Sequence, residues 1–453
     1  MRAPHVALSL FFAGAAIIGS AQSIKPVPPD NRFKADILLV VAHPDDETAV
    51  TGYLAKAIFD EHKRVAVVFG TRGDGGGDAA GKEQAAALGA KREIEARQAL
   101  ASFGVSDVWF LGGPDTPGQD VLRSLETWNH GAALAQTVRL IRLTRPAAIL
   151  TWLPDYVAGE NHGDHQAAGV IATEAFDLAG DPTAFGEQLA APRDRNNIGN
   201  LTEGLEPWQP QKLYYFTDAT DTSFQTGKGP RYSTEELSPA KNEFYYKLAA
   251  NEMSFHLTQD DTGQMAVRAI KSGDFSYFKQ PVLLVLGKSL VGGHVTGDVF
   301  ESLSPSPLAF SAARGYRQSS DAPLSIELGG PWSFYRKFWA AHDLKLLPDL
   351  LPDFGVELSA GERIQIPLLL HNDTASEATF QVNAELPGGW TDLTGTGAYE
   401  VPAHGSIPLY VRAKVAPNAS KERQSLTIRA SAEGNGLPPL ELHVTATKGS
   451  LPQ

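Results

Sequence analysis

The stretch Ile37-Leu38-Leu39-Val40-Val41-Ala42-His43-Pro44-Asp45-Asp46-Glu47 decides the fold. Its first five residues are all apolar, the pattern of a short strand buried on both faces of a sheet. Pro44 cannot continue a strand, so the chain turns there. One imidazole and three carboxylates follow within five residues, at the carboxyl end of the strand, where open α/β sheets present their ligands. His43 and Asp46, three apart across the turn, can face one centre.

Working outward, the same unit recurs. Apolar runs at 65–69, 108–111 and 148–152 alternate with segments 47–62, 81–103, 131–143 and 165–178 that are rich in Ala, Leu, Glu and Lys or Arg. This alternation predicts a doubly wound, Rossmann-like parallel sheet with helices on both faces. Residues 180–211, with Pro, Gly, Asn and Asp, read as a surface insertion; 213–216 adds a strand and 240–257 a helix. From 260 to 350 only 282–286 reads as a strand. After Pro352, short alternating runs with turn residues between them predict an all-β antiparallel sandwich.

A second chemical cluster, Asn161-His162-Gly163-Asp164-His165, stands a few residues past the run at 148–152. Two clusters behind two strands of one sheet can converge on a single ion. Catalytic zinc usually takes three protein ligands from His and Asp or Glu and leaves one position open, and the trio that fits is His43, Asp46 and His165. Another divalent metal suits the same N/O set. Glu47 falls in the first turn of the next helix, where its charge meets the positive dipole end, with a supporting role behind the site as the other reading. The glycine-rich loop 70–78 comes near a phosphate-binding pattern, since 76–82 fits G-x-x-x-x-G-K, but Glu83 occupies the place of the required Ser or Thr and a nucleotide site is excluded.

Read together as A-H-P-D-D-E (42–47) and H-x-D-H (162–165), the two motifs resemble the PIG-L (LmbE-like) family of zinc-dependent N-deacetylases, over roughly residues 36–260. The resemblance implies one zinc per chain on His43, Asp46 and His165, with Asp45 as general base. It implies His162 as the group that stabilises the oxyanion and protonates the amine, with Asp164 orienting an imidazole. Arg72 and Asp74 match a T-x-G-(E/D) segment that lines the substrate pocket, and Asp115 matches a substrate-contacting Asp. Arg92 and Glu95 match an R-x-x-E pair, which a same-face helical ion pair explains equally well; His256 matches a helical His near the pocket. The tail, with Leu386-Pro387-Gly388-Gly389-Trp390, resembles immunoglobulin-like modules appended to bacterial carbohydrate enzymes.

Composition sets the outer bounds. The 453 residues carry a formal net charge of −13 and are 42% hydrophobic, which provides for sizeable cores and argues against nucleic acid or an anionic membrane surface as partner. Arg2, an apolar stretch from 6 to 18 and small residues before Gln22 form the pattern of a signal peptide over 1–21, too short for a stable membrane span, with a retained anchor as the other reading. The expectation is an exported protein, periplasmic or extracellular. There is no cysteine, hence no disulfide, lipid-bearing cysteine or thiolate site. The expected organisation is 1–21 signal peptide, 30–260 deacetylase domain, 261–350 extension of undetermined shape and 351–448 immunoglobulin-like sandwich. The expected activity is removal of an N-acetyl or related N-acyl group from an amino sugar or glycan. Two other readings stand beside it: a glycan-binding protein with a non-catalytic deacetylase-like domain, and a metal-dependent hydrolase of another amide or ester.

Overall fold

The computed structural model describes residues 31–155, 162–189, 205–219, 222–303, 322–344, 347, 355–420 and 422–447. The signal-peptide reading and Asn161 lie outside these residues, as does the middle of the 180–211 insertion.

Five strands build the first sheet: β1 (Ile37–Val41), β2 (Val65–Phe69), β3 (Val108–Phe110), β4 (Ala148–Trp152) and β5 (Lys212–Phe216). All five are parallel, and β6 (Val285–Ser289) joins the β5 edge antiparallel, giving the order β6-β5-β4-β1-β2-β3. Every residue of β1, β2, β4 and β5 is buried, as expected when helices cover both faces. The crossovers carry helices α1 (Thr51–Ala55), α2 (Ala85–Ser102), α3 (Val121–Thr127), α4 (His130–Thr144) and α5 (Gly163–Leu178). Because β1 has β2 on one side and β4 on the other, the winding direction reverses between β1 and β4. Crevices at such a reversal are where ligands bind in these folds. The residues that follow β1 and β4 are 42–47 and 162–165, so the topology alone brings the two clusters together.

The region from 245 onward caps this crevice and then departs from the expected organisation. Helices α6 (Tyr245–Met253) and α7 (Met265–Ser272) pack on one another beside α1. The single strand expected at 282–286 is two, since Val282–Leu283 pairs with Arg231–Tyr232 and β6 starts two residues later. Strand Leu324–Leu328 belongs to the sandwich, where it pairs with Arg363–Asn372. Helix α8 (Gly330–Ala341), directly after it, returns to the first core: Tyr335, Phe338, Leu344 and Leu347 are buried among its residues. The stretch 261–350 is thus shared between both units.

Two antiparallel-rich sheets form the C-terminal region, one of four strands and one of five on its main path with a short extra pairing at Asn435–Gly436. Ile364, Ile366, Leu368 and Leu370 alternate inward along one strand and meet Phe380, Val382, Leu426 and Ile428 of the other sheet in a separate core. Among the described residues no helix is long and apolar enough to cross a membrane.

Because α8 fills the first core from beyond a sandwich strand, Phe338→Ala is expected to destabilise the N-terminal unit by about 3–5 kcal/mol. Denaturant melts followed by circular dichroism check this. A variant that melts like the parent would show that α8 is an ornament on that core.

Candidate active site

The turn after β1 is built around Asp46. Its Oδ2 accepts from the backbone N–H groups of Ala42 (2.8 Å) and His43 (2.9 Å) and from the indole Nε1–H of Trp152 (2.7 Å). That oxygen is saturated. Oδ1 faces the other way, 3.2 Å from His165 Nε2 and 3.6 Å from His43 Nδ1. One ligand atom each from His43, Asp46 and His165 lies within 4.8 Å of the others, as one small ion requires.

Each imidazole has a carboxylate behind it. His43 Nε2 lies 3.3 Å from Asp164 Oδ2, leaving Nδ1 toward the trio. Asp164 is fully buried and accepts from the backbone N–H of Thr116 (2.9 Å) and from its hydroxyl. The imidazole that Asp164 orients is therefore His43, although His162 Nδ1 also comes within 3.7 Å. His165 stacks on Trp152, with ring centroids 4.2 Å apart and planes 5° apart. Its Nδ1 is buried without a hydrogen-bond partner and lies 3.9 Å from Asp218 Oδ2. Carboxylates behind ligating imidazoles fix ring orientation and raise basicity, so the donor chemistry fits a divalent cation.

Electrostatics follow from the same packing. Burial works against the charged forms, but His165 and His43 hold the Asp46 carboxyl well below the usual range. In return Asp46 and Asp164 raise His43 despite its burial. Asp45 is different: burial, reinforced by the adjacent Asp46 charge, pushes its carboxyl up to about 7. Its backbone sits at φ 110, a left-handed value unusual for a residue with a side chain. His162 caps the N-terminus of α5 by accepting from the Asp164 N–H at 3.4 Å, and its ring is 5.1 Å from that of His43.

These residues open into a cleft of about 1130 Å³. His43, Asp45, Asp46, His162 and His165 line it, as does Asp115. A reciprocal clasp holds Asp115: its N–H donates to Asp74 Oδ1 (3.2 Å) and its Oδ2 accepts from Gly75 N–H (2.8 Å), while Oδ1 is buried without a partner. Asp74 stands behind Asp115, outside the cleft lining, and not in it as its motif implied. Arg72 is a clear departure. Its side chain is 53% exposed and pairs with Glu93 at 3.0 Å, because Gly89 of α2 lets the Cβ atoms of Arg72 and Asp74 pack close and Glu93 lies one turn on. Arg92 lines the cleft instead, donating to the carbonyls of Gly73 and Gly77 at 2.9 Å each. Glu95 does not pair with it; it accepts from the Thr258 N–H and, at 2.7 Å, from the Thr258 hydroxyl.

Glu47 also departs from its helix-end reading. Its carboxylate is fully buried, 2.8 Å from His256 Nε2, with Glu252 alongside, so this charge is answered by an imidazole and not by solvent at a helix end. Burial and the Glu47 charge push Glu252 up to about 8; burial opposes protonation of His256, but Glu47 outweighs it and raises the imidazole to about 9. Near neutral pH both Glu252 and His256 therefore keep their protons. Trp152, Thr116, Asp218 and Glu252 were not singled out in the sequence, although Trp152 and Asp218 stand at strand ends where an acid or aromatic is a usable signal.

Comparison with known proteins agrees with the motifs. Residues 38–176 match the family model described as PIG-L: GlcNAc-PI de-N-acetylase, so this segment is a PIG-L domain. Two relatives carry the description 1D-myo-inositol 2-acetamido-2-deoxy-alpha-D-glucopyranoside deacetylase. That of Geodermatophilus obscurus is 34% identical over 161 residues, 32% of this chain and 54% of the relative. The numbered form 1 of Catenulispora acidiphila is 34% identical over 190 residues, 38% of this chain and 57% of the relative. The chain thus spans a little over half the length of these relatives. Among solved structures, N,N'-diacetylchitobiose deacetylase from Pyrococcus horikoshii aligns at a TM-score of 0.38 and 18% identity, covering 56% of this chain and 84% of that one.

The buried trio makes stability pH-dependent with a definite sign. In the fold Glu252 keeps its proton to about 8 against an ordinary 4.5, and His256 to about 9 against 6.5. The folded chain therefore binds more protons than the unfolded one in that window, and stability falls as pH rises through it. Urea midpoints should decline from pH 6.5 to 9, and Glu252→Gln should flatten the decline and raise the melting temperature at pH 9 by roughly 2–4 °C. A variant with an unchanged pH profile would remove Glu252 from this account.

Proposed function

We propose that the protein is an exported, zinc-dependent hydrolase that removes an N-acetyl or related N-acyl group from an amino-sugar substrate, with an immunoglobulin-like module at its C-terminus. The single observation that carries the reading is the divided Asp46 carboxylate, with Oδ2 saturated by protein donors and Oδ1 turned to two imidazoles beside Asp45. His43, Asp46 and His165 would hold the ion. When bound, zinc supplies Lewis acidity toward an amide carbonyl and toward water, and its charge favours the ionised form of Asp45.

The chain's own residues supply the rest. Asp45, in the cleft and next to the ligand Asp46, takes the proton of the attacking water. His162, on the cleft wall at the N-terminus of α5, stabilises the developing oxyanion and then gives its proton to the departing amine. Asp164 keeps the His43 ring turned toward the trio. Asp115, on the cleft wall, would meet a sugar hydroxyl there. The opposite wall is apolar and aromatic, formed by Met253, Phe278, Val282 and the exposed ring of Tyr277. A sugar ring has one C–H face that packs on such a surface and hydroxyls that suit the polar side. The descriptions of the relatives, which name a deacetylase of an acetamido sugar, support the same substrate class.

The reading is tested by acetate release from a panel of N-acetylated amino sugars and oligosaccharides, with and without a chelator. Activity is expected to vanish on chelation and return with zinc; metal-free purified protein that gains nothing from any divalent ion would end the proposal. Replacing His43, Asp46 or His165 by Ala should remove metal and activity together. Asp45→Asn should keep the metal while turnover falls roughly 10²- to 10⁴-fold; loss of metal in that variant would exchange the roles of the two aspartates.

The aromatic wall gives a separate outcome. Tyr277→Ala should raise KM for the preferred substrate about tenfold, the effect of about 1.4 kcal/mol of lost stacking, with kcat nearly unchanged. Steady-state kinetics on the best panel member measure this, and a kcat effect without a KM effect would place Tyr277 elsewhere in the reaction.

A further inference from the structure

The turn that carries Asp45 is gripped from one side by a single short stretch, residues 256–262, which lies beyond the segment 38–176 that matches the family model. Thr262 Oγ1 donates to Asp45 Oδ2 at 3.0 Å. Gln259 Nε2 donates to the carbonyl of Pro44. His256 Nε2 lies 2.8 Å from Glu47 Oε1, and Glu47 Oε2 accepts the Asp45 backbone N–H at 3.0 Å. Both the carboxylate and the amide of Asp45 are therefore fixed by bonds that end in this stretch.

Asp45 needs such support. At φ 110 its backbone lies in a sparsely populated region, and a residue persists there only when its surroundings over-determine it. The stretch is itself anchored. Thr258 donates its hydroxyl to Glu95 on α2 at 2.7 Å, and its carbonyl accepts the Ala79 N–H at 2.9 Å. The turn closes tightly at Gly263, where an added Cβ would come 1.9 Å from the carbonyl oxygen of His256.

We propose that residues 256–262 form a brace that aims Asp45: Thr262 sets the direction of its carboxylate, and His256 fixes its backbone through Glu47. The proposal rests on the reading of Asp45 as general base. Thr262 and His256 act through Asp45 and are positioning residues. The brace makes the chemical step depend on residues far outside the matched segment.

The deciding pair is Thr262→Val, which keeps the shape and loses the hydroxyl, against Thr262→Ser, which keeps the hydroxyl. For the zinc-loaded full chain, Val should lower kcat about 10- to 100-fold with KM and metal content unchanged, and Ser should stay within about threefold of the parent. In an Asp45→Asn background the Val change should cost nothing further, because there is no base left to aim. A readout free of activity comes from hydrogen exchange in the peptide spanning 43–48, where His256→Leu should release the Asp45 amide. If His256→Leu does not fold, Glu47→Leu replaces it in that measurement.

A Val variant with full kcat, a rise in KM in place of the kcat loss, an equal loss in the Asp45→Asn background, or unaltered exchange each overturns the brace. A parent that is inactive on every substrate overturns the hydrolase reading, and the brace falls with the base it aims. A parent that is active beside an unaffected Val variant overturns the brace alone.

Discussion

The site depends on a division of labour within one carboxylate. Asp46 gives its Oδ2 to three protein donors, two of them backbone N–H groups of its own turn and the third an indole from the neighbouring strand. Those bonds set the turn after β1, tie β1 to β4 through Trp152, and fix the direction of Oδ1. A buried charge is tolerated only when it is paired and hydrogen-bonded. Here the pairing is complete on one side and turned to two imidazoles on the other, as the proposed role of Asp46 as a ligand would require.

The legible part of the molecule was the part where chemistry is local in the chain. A strand that ends in His-Pro-Asp-Asp-Glu and a second that leads into His-Gly-Asp-His place seven polar groups by topology alone, because the winding of the sheet reverses between those two strands. What stayed hidden acts one residue at a time across long separations. Trp152 reaches Asp46 over 106 positions, Thr116 reaches Asp164 over 48, and Thr262 reaches Asp45 over 217. No periodicity marks such partners.

Two misplacements teach a similar point. Arg72 stands where the motif put it, but side-chain direction is decided by what the opposing helix offers, and a glycine with a glutamate one turn on drew it to the surface. Glu47 lies in a first helical turn as expected, yet its partner is a histidine 209 residues away. The organisation of 261–350 was unreadable for a comparable reason: a strand that completes one core is followed by a helix that completes the other, so neither has a local context that announces its role.

The flat contact between Trp152 and His165 carries a spectroscopic consequence. An indole stacked 4.2 Å from the His165 imidazole would sit next to any ion held there. A paramagnetic or coloured ion such as cobalt or copper would quench the emission of that one indole far more than that of the other six tryptophans, whereas a closed-shell ion would mainly shift its wavelength. On the proposed metal reading the molecule therefore carries its own optical gauge of occupancy, placed by the same nitrogen that steadies Asp46.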